Sequence, residues 1–159
     1  MLEERSAGAV LFHRDKGMNI FLLLRYPAGH WDFPKGNIEK GESDLETVRR
    51  EVKEETGISN ITIFEGFKKI IEYNYRRNSS VVHKRVTYYL AESAITDVKI
   101  SFEHLGYEWL NYNDSMKKLT FKNAKTVLEA ANEFLKQKSD TKTLDRFVSQ
   151  PPQGQKTQE

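Results

Sequence analysis

Gly36-Asn-Ile-Glu-Lys-Gly-Glu-Ser-Asp-Leu-Glu-Thr-Val-Arg-Arg-Glu-Val-Lys-Glu-Glu-Thr-Gly-Ile58 decides how the chain is read. Ser43 and Glu46 stand three apart, the spacing of a capping box, in which each side chain satisfies the other residue's free backbone N–H. The helix that starts there is expected to run to about Thr56 and stop at Gly57, since glycine tolerates the left-handed conformation of a helix C-terminus. On a wheel of about 100° per residue, with Glu51 at the origin, Glu54 falls near −60° and Glu55 near +40°. Leu45, Val48 and Val52 then cluster at roughly +60° to +120° and are expected to face the core, with Glu46, Arg49 and Lys53 on the far side in water. Like charges three and four residues apart repel by a few tenths of a kcal/mol per pair. In an arbitrary helix such a cluster is a solvated face, but beside a core edge it calls for compensation. A divalent cation supplies it, because Mg²⁺ takes carboxylate, water and phosphate oxygens.

The rest of the chain limits the alternatives. The 159 residues suit one domain, with 38% hydrophobic and 30% charged residues, the composition of a globular protein with a charged surface. There is no cysteine, which excludes disulfides, zinc–thiolate centres and thiol nucleophiles and leaves carboxylates and histidines as metal ligands. No run approaches the roughly 18 apolar residues of a membrane span, and Met1 to Arg5 lacks the order of a secretion signal, so the expected compartment is the cytoplasm. The formal net charge is only +2, too small to demand nucleic acid.

Outward from the helix, Ser6–His13 and Asn19–Arg25 read as a β-hairpin turning through Arg14–Met18, with at least one buried strand. Trp31 to Gly36 reads as irregular, on its proline and glycine. Ile61–Tyr75 and Val81–Glu92 read as a long antiparallel pair joined near Arg77–Ser80, and Gly106–Leu110 as a further strand. Asn113-Asp114 is expected to cap a short helix, and Thr120 a longer one from Phe121 to about Lys138, with Ala124, Val127, Leu128, Ala131, Phe134 and Leu135 inward. The domain is read over 1–138 and a mobile tail over 139–159.

Gly36, Glu42, Arg50-Glu51-Val52, Glu54-Glu55 and Gly57-Ile58 reproduce at every position the Gly-x₅-Glu-x₇-Arg-Glu-U-x-Glu-Glu-x-Gly-U signature of the Nudix hydrolases, U being a bulky aliphatic residue. By that resemblance the sequence is identified as a member of the family. The resemblance implies an α/β fold, a mixed β-sheet sandwiched between helices, with the motif as loop–helix–loop. It implies a Mg²⁺ cofactor, with Mn²⁺ as the alternative, held by Glu51, Glu54 and Glu55, while Gly36 and Gly57 occupy the backbone turns at either end of the helix. The resemblance also counts Gly36 with the metal set. Arg50 is expected to orient a carboxylate. The implied reaction is in-line attack of water at phosphorus, with Glu54 or Glu55 as the base and Glu103 as the competing base or an additional metal ligand.

Residues outside the motif, from His30-Trp-Asp-Phe-Pro-Lys-Gly36 through Tyr73, Lys84 and Glu103-His104 to Phe121-Lys122, resemble the asymmetric diadenosine tetraphosphate hydrolases within that family. This implies that His30, Lys35 and Lys84 approach a polyphosphate and that Tyr73 and Phe121 sandwich an adenine. Each has a plainer reading: Phe121 as core, Tyr73 as a strand aromatic, His30 as a loop residue. The stretch between Tyr73 and Lys84 is longer and more basic than the resemblance leads one to expect. The basic residues Lys68, Lys69, Arg76, Arg77, Lys84 and Arg85 fit a polyphosphate rim, or an RNA 5′ end carrying the same chemistry. The expected partner is a nucleoside polyphosphate met by a monomer, away from any membrane. The alternatives are another nucleotide, such as a nucleoside triphosphate or ADP-ribose, or a silent nucleotide-binding module.

Overall fold

The computed structural model describes residues 1–149. The segment read as a tail therefore lies outside the described residues from 150 on. An eight-stranded mixed sheet carries helix α1 on one face and helix α3 on the other. Strand β1 (Leu2–Asp15) turns tightly into β2 (Met18–Arg25), with Lys16 at φ 50° and Gly17 at φ 81°, the paired left-handed residues of a two-residue hairpin. β1 also runs parallel to β7 (Ser80–Ser93), from Leu2 opposite Val82 to Phe12 opposite Glu92. That pairing makes Leu2 to Arg5 a strand, which its mixed composition does not announce.

Both faces of β1 are buried, so its apolar run is continuous. Ala7, Ala9 and Leu11 pack beneath α1 (Asp44–Thr56) together with Leu22, Leu24, Val48 and Val52, whereas Val10 and Phe12 join Phe21, Leu23, Val127, Leu128 and Ala131 beneath α3 (Lys122–Ser149). Each large side chain buried this way contributes on the order of 1.5–3 kcal/mol. Leu45 departs from the wheel: it is 42% exposed, because it lies in the first turn of α1, where the sheet's cover has ended.

Four other expectations are corrected. Trp31 to Gly36 is not irregular throughout: β3 (Trp31–Asp32) pairs with β2, and β4 (Lys35–Asn37) pairs with β1 through Gly36 opposite Ala7. Ile61–Tyr75 is not one strand but β5 (Ile61–Ile63) and β6 (Lys69–Arg77), interrupted where Gly66 adopts φ 91°. After β8 (Gly106–Leu110), helix α2 (Tyr112–Lys118) is capped by Asn111, whose side chain accepts from the Asp114 N–H, rather than by Asn113-Asp114. The Thr120 hydroxyl does not cap α3 but accepts from the Trp31 N–H at 2.8 Å, and α3 continues past Lys138, no proline or glycine intervening before Pro151. Among the described residues no helix is long and apolar enough to cross a membrane.

Candidate active site

Helix α1 begins and ends as its sequence dictates. Ser43 Oγ accepts from the Glu46 N–H at 3.1 Å, Glu46 Oε1 accepts from the Ser43 N–H at 3.0 Å, and Gly57 closes the helix at φ 77°. Arg50 gathers the surrounding carboxylates. Its Nε donates to Glu42 Oε2 at 2.6 Å, one terminal nitrogen reaches Glu51 Oε1 at 2.8 Å and Glu54 Oε2 at 3.3 Å, and the other donates to the Asn37 carbonyl at 3.0 Å. The Arg50 contact is the main reason Glu42 titrates far below an ordinary carboxylate, at about 2.

The glutamates do not share one environment. Glu54 is 59% exposed and turns to Arg50, while the Glu51 and Glu55 side chains are 14% and 5% exposed. Burial, followed by the charge of Glu55, raises Glu51 to about 7, and burial likewise raises Glu55. Glu55 Oε1 accepts from the Lys35 N–H at 3.1 Å. Its Oε2 lies 3.2 Å from His104 Nε2, yet the two are not aligned as a hydrogen bond, and both atoms are buried without one. Gly36 is needed here for space rather than for a turn, correcting the expectation. Its φ is not in the left-handed region, and a Cβ there would come within 2.0 Å of Glu51 Cδ.

A cleft of about 300 Å³ is lined by Tyr26, Pro27, Lys35, Gly36, Glu51, Glu55, Glu103 and His104. Glu103 is exposed in its wall, with no hydrogen bond or ion pair from its carboxylate to a described residue. On the α3 side, a cavity of about 460 Å³ brings His30, Lys35, Tyr73 and Phe121 together with Asp32 and Asn123. Lys35 belongs to both walls, which joins the cavity to the acidic cleft. Its Nζ is 2.7 Å from Asp32 Oδ2. His30 stacks on Tyr26 with ring centroids 5.0 Å apart and meets Phe121 at 5.2 Å. Burial, and after it the charge of Lys35, lowers its pKa, which favours the uncharged ring.

Lys84 lines neither space. It sits across from Tyr73 in the β6–β7 pair, and its Nζ donates to Glu4 Oε1 at 2.7 Å and Asn37 Oδ1 at 3.0 Å. Of the other basic residues, Arg77 is engaged by Glu4 and Tyr75, and Arg85 stands opposite Glu72. Sequence reasoning passed over Asp32 and gave His104 no role of its own. A charge between Trp31 and Phe33 was the available signal for the first, and the buried position of the second depends on Glu55, far away in the chain.

Among the described residues no three of His, Asp and Glu are placed to enclose a metal ion; Glu54 lies on Arg50. The donor set nevertheless fits a divalent cation. Glu51 and Glu55 are hard oxygen donors whose ionisation burial opposes, in Glu51 together with the charge of Glu55, and Glu55 Oε2 has no hydrogen bond.

Residues 2–131 match the NUDIX domain model, and the chain belongs to the Nudix family. It is 38% identical to the asymmetrical bis(5′-nucleosyl)-tetraphosphatase of Mus musculus over 143 residues, 82% of this chain and 95% of that one. The crystal structure of a C. elegans Ap4A hydrolase binary complex matches with a TM-score of 0.74 at 31% identity, covering 83% of this chain and 97% of that chain. An RNA pyrophosphohydrolase of Helicobacter pylori (strain G27) is 30% identical over 102 residues, covering 57% of this chain and 64% of the relative.

Proposed function

We propose that the chain hydrolyses dinucleoside polyphosphates, with diadenosine tetraphosphate giving ATP and AMP, and that residues 1–138 form the catalytic unit. The observation that carries this reading is the wall at Lys35, common to an aromatic cavity and an acidic cleft. One nucleoside fits the cavity, its base between Tyr73 and Phe121, while the phosphates leave it past His30 and Lys35 toward Glu51 and Glu55. The similarity to tetraphosphatases over 82% of the chain supports that substrate class. The shorter match to an RNA pyrophosphohydrolase makes an RNA 5′ end the second substrate to assay.

Glu51 and Glu55 would hold a divalent cation, Mg²⁺ being our choice and Mn²⁺ the alternative, with Glu103 in the same cleft, Glu54 turned aside to Arg50, and Gly36 giving Glu51 its room. Such an ion neutralises phosphate oxygens and makes phosphorus electrophilic. Arg50 fixes the carboxylate of Glu51 by a charge-assisted hydrogen bond. Lys35 carries a positive charge to the chain of phosphates, and uncharged His30 offers a ring N–H donor. Glu103 suits proton removal from the attacking water better than Glu54, because its carboxylate is uncommitted whereas Glu54 is tied to Arg50. Lys84 lies one strand from Tyr73, within the reach of a flexible side chain that lets go of Glu4. The compartment we propose for it is the cytoplasm.

The test is a substrate panel with Mg²⁺, resolved by product: diadenosine tetraphosphate, nucleoside triphosphates, ADP-ribose and 5′-triphosphorylated RNA. The expected result is ATP and AMP from diadenosine tetraphosphate at the highest kcat/KM. A preference for any mononucleotide overturns the reading.

A further inference from the structure

Phe102 is 97% exposed, although the turn that carries it is firmly tied. The Ser101 N–H donates to the Glu55 carbonyl at 3.2 Å, the Ser101 hydroxyl lies 3.0 Å from His104 Nδ1, and the His104 N–H donates to the Ser101 carbonyl at 3.1 Å. The Leu105 N–H then donates to the Arg25 carbonyl at 2.8 Å. These bonds fix the turn against the end of α1 and the end of β2, so the exposed ring projects from an anchored turn. Leu105 at 58% and Tyr107 at 40% are exposed within the next five residues. A scattered exposed apolar residue needs no explanation. An anchored aromatic next to a cleft is different, because recognition residues concentrate on turns held by a rigid scaffold.

Position supplies the ligand class. The proposed substrate has two bases, and the cavity of about 460 Å³ with Tyr73 and Phe121 accommodates one nucleoside. From Lys35 the phosphates cross the cleft, whose other wall is Glu103 and His104. Phe102 stands immediately before Glu103 in the chain, on the turn that forms that wall. We propose that Phe102 is a stacking platform for the second nucleoside, the one outside the Tyr73–Phe121 cavity. This rests on the dinucleoside polyphosphate reading. An open platform offers one aromatic face and is sequence-tolerant, since every base has a π-face.

The experiment compares a ligand that has the second nucleoside with one that lacks it. KM is measured for diadenosine tetraphosphate, and adenosine 5′-tetraphosphate is measured as a competitive inhibitor through its Ki, in the wild type, Phe102→Ala and Phe102→Trp. Phe102→Ala should raise KM about 5- to 10-fold, the low end of the worth of one stacked base, and leave Ki within about 2-fold. Phe102→Trp should retain the wild-type KM. Equal shifts in KM and Ki, or no shift in either, overturn the platform while leaving the substrate reading intact. A wild-type protein that turns over other nucleotides but not diadenosine tetraphosphate overturns the substrate reading, and the platform with it.

Discussion

The acidic cleft and the aromatic cavity meet at Lys35 but are assembled in opposite ways. Nearly all the charge of the cleft comes from one helix and the strand before it, so its geometry is local: the 3.6-residue turn sets Glu51 and Glu55 side by side, and Gly36 opens the space above them. The cavity comes from separate segments, at His30 to Lys35, Ile71 to Tyr73 and Phe121 to Ala124, and exists only once β6 and α3 have been placed. The cleft opposes its own folding by holding two carboxylates away from water. The cavity asks little of its aromatic walls, which can be altered without stranding a buried charge. Substitutions in the cleft should therefore strike turnover, and those in the cavity binding.

The largest effect is expected from Glu55→Gln, which keeps shape and removes charge. Its kcat for diadenosine tetraphosphate should fall by about 10²- to 10⁴-fold, with an unchanged circular dichroism spectrum. Turnover near the wild-type value would remove the helix from the mechanism and erase the contrast between the two regions. Gly36→Ala comes next. Its Cβ would meet Glu51 Cδ at 2.0 Å, so the carboxylate, at the end of a flexible side chain, must move, at a cost of at most about 1–3 kcal/mol. We expect kcat to fall by about 10- to 100-fold if that cost is borne by the geometry of the reacting state. A Gly36→Ala enzyme with full kcat would show that Glu51 has room to spare.

Those two residues also mark what could be read in the chain. The motif helix, its caps and its acidic face were legible because each depends on neighbours within four residues. The outer hairpin was legible in its apolar runs, and so was the inward row of α3. What escaped was set by competition for one group or by partners far along the chain. Glu54 leaves the acidic group because Arg50, also bound by Glu42 and Asn37, takes hold of it. His104 is buried because Glu55 lies against it. The break between β5 and β6 depends on how much of β7 each strand covers, although Gly66 hinted at it.

A smaller effect, confined to binding, is expected in the cavity. Tyr73→Ala and Phe121→Ala each remove an aromatic wall that is 37% or 49% exposed. Stacking of a base is worth about 1–3 kcal/mol, so KM should rise by about 5- to 100-fold while kcat stays within about 3-fold. Steady-state kinetics on diadenosine tetraphosphate decides it. A fall in kcat with KM preserved would mean that these rings position the reacting phosphate rather than hold a base, and the division of labour would fail.

The smallest effect tests the border of the cavity, where Lys84 is engaged by Glu4. Burial opposes the charge on Glu4, but Lys84, Tyr75 and Arg77 outweigh it and hold its pKa below the ordinary 4.5. A carboxylate with a depressed folded-state pKa stabilises the fold above its unfolded value, and that contribution is lost as pH falls through the folded one. Glu4→Gln should therefore be less stable than the wild type to urea at pH 7, with the difference narrowing as pH falls below 4.5. A difference that stays constant with pH would assign the loss to packing. The same variant leaves Lys84 with neutral acceptors only, the new amide oxygen and Asn37, and a lysine held more weakly beside Tyr73 is freer to meet phosphate. KM should then fall slightly, by about 2-fold, a small part of what a full charge-assisted hydrogen bond is worth. An unchanged KM would make Lys84 a strut of the sheet, and would leave Lys35 alone to carry the polyphosphate from the cavity to the cleft.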